Sequence, residues 1–167
     1  LDAAPPREQV PVDVGAVVEK VSHMLSPLAE AVDVTLQLEL EPGCTILCTR
    51  DDLYQVVFNL VENAIKYNLP GGRVTVTARR AEECVLLAVS DTGVGIPEDE
   101  REKIFDRFYR VDKARSRAAG GTGLGLSIVW ETVRLHGGRI EVRPGEDGRG
   151  TCFAVEFPAA AGEEEQP

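Results

Sequence analysis

A chain of 167 residues is the size of one domain, and its 43% hydrophobic content is enough for a sizeable core. The formal net charge of −10 argues against a nucleic-acid surface, which needs surplus Lys and Arg. No apolar run approaches the roughly 18 residues a membrane helix requires, so no direct membrane contact is expected of this chain. It starts at Leu1 without an initiator Met or a basic-then-apolar leader, and so reads as a piece of a longer protein. Cys44, Cys48, Cys84 and Cys152 contain no CxxC pair and have no His at metal-ligand spacing, which is expected of buried free thiols in a reducing cytoplasm.

In chain order, residues 1–9, with their Pro pair, suit a linker, and residues 10–158 a single domain. Val14, Val17, Val18, Val21, Leu25 and Leu28 recur at helical spacing and predict an amphipathic helix over 14–31. The alternating run 34–40 and the run 45–49 flank a Pro-Gly turn and predict two strands as a hairpin. A second helix is expected over 52–68, capped by Asp51 or Asp52. Its apolar face carries Leu53, Val56, Val57, Leu60, Val61 and Ala64, and Asn59, Asn63 and Lys66 line a polar edge beside it. Amides next to apolar surface need a partner, whether backbone, metal or ligand.

Pro70, Gly71 and Gly72 end that helix, and 73–79 and 85–90 read as strands, the second running straight into Asp91. From Thr92 to Gly121 there is only a short helix candidate after Pro97, and irregular segments this long inside compact domains are usually functional. Arg101, Lys103, Arg107, Arg110, Lys113, Arg115 and Arg117 fall there, a basic cluster suited to phosphates in an otherwise acidic chain. A third helix is expected over 122–135, opened by glycines and ended by His136-Gly137-Gly138, which gives His136 an ordinary capping context. A hairpin of 139–142 with 151–157 follows, then an acidic tail over 159–167 that reads as disordered.

Asp91 when ionised offers only acceptors, which suits the exocyclic amine of adenine and repels the carbonyl of guanine. Gly93 and Gly95 let backbone approach a base or ribose, and Gly121, Gly123 and Gly125 open a helix whose free N–H groups suit phosphate. Leu126 breaks a GxGxxG pattern, and no GK[ST] opens a helix, so dinucleotide folds and Walker loops are disfavoured. Asn63 can offer a hard side-chain oxygen to magnesium.

In this order and spacing, NLVENAIKY (59–67), DTGVGIP (91–97), FDRFYR (105–110) and GTGLGLS (121–127) resemble the N, G1, F and G2 boxes of the catalytic, ATP-binding domain of sensor histidine kinases. The resemblance runs from about Val10 to Phe157. It implies a two-layer α/β sandwich, a mixed and mainly antiparallel sheet under three helices, with an ATP lid over about 97–121. It also implies that Asp91 reads adenine, Asn63 binds Mg2+, Asn59 supports the metal or its water, and Lys66 and Tyr67 lie near phosphates and ribose. Ile96, Phe105, Phe108, Thr122, Leu124 and Leu126 complete the nucleotide site, and Arg107 and Arg110 of the lid are expected to neutralise the transferred group.

Related gyrase and Hsp90 ATPases resemble the chain but carry Glu where Asn59 stands, and an amide cannot act as a general base. The expectation is therefore γ-phosphoryl transfer rather than hydrolysis. The acceptor is a histidine on a dimerisation hairpin outside this chain, with a response regulator downstream. The stretch SHMLSPL (22–28) superficially resembles the phosphoacceptor box, but Met24 replaces its acidic neighbour, so His23 reads as an ordinary helix residue. An ATP-driven clamp and a nonenzymatic module of the same fold are the alternatives.

Overall fold

A computed structural model describes residues 8–106, 125–145 and 148–160. The first part of the expected linker, residues 107–124 with most of the expected lid and the start of the expected third helix, and the tail from 161 onward lie outside the described residues. Strand β1 (Val10–Asp13) leads into helix α1 (Val14–Ala31). Asp13 caps that helix by accepting from Gly15 N at 2.9 Å, and Val14, Val18, Val21, Leu25 and Ala29 form its buried stripe. Pro27 is accommodated within the helix, and one residue earlier the Ser26 hydroxyl donates to the Ser22 carbonyl at 2.9 Å.

Strands β2 (Val34–Leu40) and β3 (Thr45–Cys48) follow, then α2 (Arg50–Lys66), β4 (Gly72–Ala81) and β5 (Cys84–Asp91). A 3-10 turn (Glu98–Glu100) precedes α3 (Gly125–Leu135), and β6 (Arg139–Pro144) and β7 (Thr151–Pro158) close the fold. The five-stranded sheet runs β2-β4-β5-β7-β6, with β2 and β4 parallel and every other pair antiparallel. Burial alternates along β4, β5 and β7, so one sheet face carries Val74, Val76, Val85, Leu87, Val89, Phe153, Val155 and Phe157 into the core under the three helices. This is a two-layer α/β sandwich with a mixed, mainly antiparallel sheet.

Three local expectations are corrected. β2 and β3 are not a hairpin: β2 pairs in parallel with β4 (Val34↔Gly72 to Leu40↔Ala78), and β3 pairs with β1 in a separate two-stranded ribbon. Alternation and a Pro-Gly turn mark strands but not their partners. Here Ile46 and Cys48 are buried in the core, while Ala160 N donates to Thr45 O at 2.8 Å. The cap of α2 is Thr49, whose hydroxyl accepts from Asp52 N at 3.1 Å; Asp51 and Asp52 occupy the first turn, where their charge suits the dipole. The helix ends at Lys66, and the described part of α3 starts at Gly125. Strand β1 was missed altogether, since four residues interrupted by Pro11 carry no periodic signal.

All four cysteines are free thiols, but only Cys44 and Cys48 are buried as expected, Cys84 and Cys152 being half-buried; burial and the Asp52 carboxylate push the Cys48 thiol up to about 11, which keeps it unreactive. Among the described residues, no helix is long and apolar enough to cross a membrane.

Candidate functional site

The last residue of β5 is the centre of the site. Strand alternation turns Asp91 to the buried face, where it is 7% exposed. Its Oδ1 accepts from Gly93 N at 2.8 Å and from Thr151 N at 3.2 Å, while Oδ2 has no hydrogen-bond partner among the described residues. Burial pushes this carboxyl up to about 6, against the opposing pull of the two N–H donors. One oxygen is thus fixed by backbone and the other is left as an oriented acceptor.

The surrounding backbone leaves little room. A Cβ on Gly93 would collide with Tyr67 O and lie 2.9 Å from Asn68 Cα, and Val94 N donates to Tyr67 O at 3.3 Å, so the turn after Asp91 rests on the end of α2. From the other side the β6–β7 turn closes in. Gly150 adopts φ +69°, and a Cβ there would collide with Asp91 O and stand 2.7 Å from Asp91 Oδ1. Gly95 lies beside the same turn, a Cβ on it falling 3.3 Å from Gly150 O.

Helix α2 presents its half-buried edge nearby. Asn59 Nδ2 donates back to Gln55 O at 2.9 Å, and Asn59 Oδ1 lies 3.2 Å from where a Cβ on Gly125 would stand, so α2 meets the start of α3 at that amide. One turn on, the Asn63 side chain is half-buried and makes no hydrogen bond among the described residues. Lys66 pairs with Glu62 at 3.6 Å, and Tyr67 ends the helix with its N–H on Asn63 O at 3.1 Å. The local sequence explains this edge: the apolar stripe from Leu53 to Ile65 is buried in the core and leaves positions 59, 63 and 66 at its border.

The family of histidine kinase-, DNA gyrase B-, and HSP90-like ATPases matches residues 48–161. The sensor histidine kinase WalK of Bacillus subtilis is 48% identical over 111 residues, covering 65% of this chain and 18% of WalK. Among solved structures, the mycobacterial sensor histidine kinase MprB superposes with a TM-score of 0.79 at 30% identity, covering 90% of this chain and 97% of that one. The chain belongs to this family, as the catalytic, ATP-binding domain of a sensor histidine kinase. Full-length ShkA, solved in complex with AMPPNP, is 33% identical with a TM-score of 0.79 over 96% of this chain and 33% of its own. The kinase domain thus spans only a fraction of the full-length relatives it matches.

Of the residues singled out in the sequence of this kinase domain, Asp91, Gly93, Gly95 and Tyr67 meet around the end of β5, and Asn59 meets Gly125 farther back along the border of α2. Ile96, Phe105 and Leu126 pack partly buried against the core, with Phe105 edge-on to Phe153 (centroids 6.3 Å apart, planes at 75°) and Ile104 buried beside it in sequence. Arg107, Phe108, Arg110, Gly121, Thr122, Gly123 and Leu124 lie outside the described residues. Thr151, which donates its N–H to Asp91 from the neighbouring strand, and Gly150, whose missing side chain makes room for Asp91, carry no sequence signal beyond a glycine-rich turn entering a strand.

Proposed function

We propose that this domain binds Mg·ATP and transfers the γ-phosphoryl group to a histidine on a dimerisation hairpin elsewhere in the longer protein, for onward passage to a response regulator. In that reading it is a cytoplasmic domain of a membrane-anchored sensor. The observation that carries it is the buried Asp91 carboxylate, with Oδ1 held by two backbone N–H groups and Oδ2 left as an acceptor. That oxygen suits the adenine amine and opposes the guanine carbonyl.

Asn63 fits a magnesium ligand, being a half-buried neutral oxygen donor with no competing hydrogen bond among the described residues. Magnesium, when bound, supplies charge neutralisation on the phosphates. Asn59 supports Asn63 from one turn away. Its amide is tied to Gln55 O and has no lone pair basic enough to deprotonate water, so the site lacks a hydrolytic base there and favours transfer. Lys66 stands at the same edge beside Glu62 and serves as a cation for the phosphates. Arg107 and Arg110 of the lid are the further cations of this reading.

Calorimetric titration of the chain with Mg·ATP and Mg·GTP, together with γ-labelled ATP supplied to the full-length protein, tests the proposal. ATP should bind at least tenfold more tightly than GTP, and label should arrive on a histidine of the hairpin. Steady release of inorganic phosphate with no labelled protein would mean a hydrolytic clamp instead.

A further inference from the structure

The base-reading turn is joined to residues outside the four boxes, Asn68 and Arg73, by a small polar network centred on Thr92. Thr92 Oγ1 accepts from Arg73 N at 2.9 Å and donates to Asn68 Oδ1 at 3.2 Å. Asn68 Oδ1 also accepts from Leu69 N at 2.8 Å, and Asn68 Nδ2 donates to Arg73 O at 3.1 Å. Arg73 O in turn accepts from Thr92 N at 3.2 Å. The loop between α2 and β4 wraps closely around this amide: a Cβ on Gly72 would collide with Asn68 Oδ1 and stand 2.7 Å from Thr92 Oγ1.

Position in the chain gives the network its meaning. Thr92 sits between Asp91 and Gly93, whose N–H holds Asp91 Oδ1, and Asn68 follows Tyr67, whose carbonyl accepts from Val94 N at 3.3 Å. The two side chains therefore bolt the Asp91–Gly93 turn to the C-terminal end of α2. Both are only half-buried, so the network lies at the rim of the core and not inside it.

We propose that Asn68 and Thr92 are a positioning pair for base recognition, fixing the turn so that the free oxygen of Asp91 is aimed at the adenine amine. The inference rests on the adenine-reading role proposed above for Asp91. Neither residue touches the nucleotide in this account; each acts through Asp91 and Tyr67. The pair also couples the two ends of the site, because the same helix that carries Asn63 is tied through Asn68 to the turn that reads the base.

Thr92→Val keeps the side-chain shape and removes the hydroxyl, Thr92→Ser keeps the hydroxyl, and Asn68→Ala removes the other half of the network. Dissociation constants for Mg·ATP and Mg·GTP and the thermal midpoint would be measured for each. Thr92→Val and Asn68→Ala should lose about five- to tenfold in ATP affinity, the scale of one misplaced hydrogen bond. GTP affinity should stay put, so the ATP-over-GTP ratio falls; Thr92→Ser should restore it. A purely structural role would lower the midpoint and leave the ratio alone, and an unchanged ratio in both Thr92→Val and Asn68→Ala overturns the proposal. A wild-type chain with no preference for ATP removes the adenine-reading role of Asp91 and the pair's role with it. A wild type that has the preference, with variants that keep it, overturns the pair alone.

Discussion

His136 Nε2 lies 2.9 Å from Asp52 Oδ2, joining the residue just past the end of α3 to the first turn of α2. The imidazole is 4% exposed, and its other nitrogen, Nδ1, stands 3.3 Å from Gln9 Nε2, just before β1. With Gln9 donating to Nδ1, the neutral ring donates from Nε2 to Asp52, and three segments remote in sequence meet on one side chain. His136→Ala should therefore lower stability by about 1–3 kcal/mol, the cost of deleting a buried hydrogen-bonding centre. Chemical denaturation would read this, and ATP affinity should change less than twofold, because the clasp holds the scaffold and not the nucleotide.

Asp91 places function and stability in opposition. An aspartate's ordinary value is 3.8, and burial holds this one at about 6. Between those values the native state holds more protons than the unfolded chain, so this group's contribution to stability declines as pH rises through the window and the cost is complete above about pH 6. A shift of that size corresponds to up to about 3 kcal/mol. Asp91→Asn should then raise the thermal midpoint of the nucleotide-free domain at neutral pH and flatten its dependence between about pH 4 and 6. The same substitution should weaken Mg·ATP about ten- to a hundredfold, since a hydrogen bond to a charged group is worth about 1.5–3 kcal/mol. For the wild type, ATP affinity should fall as pH drops through about 6. A mutant of unchanged affinity would remove Asp91 from the site.

Asn63→Ala separates metal from base. The side chain makes no hydrogen bond among the described residues, so stability should shift by no more than about 0.5 kcal/mol. Titrations with Mg2+ and with chelator should then give the same ATP affinity, and phosphoryl transfer in the full-length protein should disappear, while the preference for ATP over GTP persists. Loss of that preference along with the metal dependence would contradict the division of labour between α2 and the turn after β5.

The legible part of the fold was whatever a local period could encode. The stripes of α1 and α2, the alternation of β4, β5 and β7, and the position of Asp91 at a strand end all follow from side-chain spacing. What the spacing could not carry was choice of partner. The run 45–48 alternates equally well whether it pairs with β2 or β1, and only long-range packing chose β1. The same limit hid the roles of Thr151, Asn68 and His136. Each acts on a residue distant in sequence, and each looks locally like turn or cap chemistry, which His136-Gly137-Gly138 does also supply through Gly138 N on Val133 O at 2.9 Å. The Thr49 cap was overlooked because two aspartates after it satisfied the same rule.

The final prediction is that this chain binds ATP without phosphorylating itself. Attack on a γ-phosphate needs a histidine with an unengaged nitrogen able to reach it. His136 meets Asp52 at one nitrogen and Gln9 at the other and is buried, so neither nitrogen is presented. His23 is exposed on α1, away from that helix's buried stripe, and has Met24 where the phosphoacceptor box carries an acidic residue. Incubation with γ-labelled ATP should leave the chain unlabelled after alkaline and acid quenching alike, while the full-length protein should acquire an acid-labile label on the hairpin histidine. A His23→Gln variant of the full-length protein should label as the wild type does. Acid-labile label on the isolated chain that disappears with His23→Gln would place the acceptor inside this domain and overturn the assignment of the hairpin.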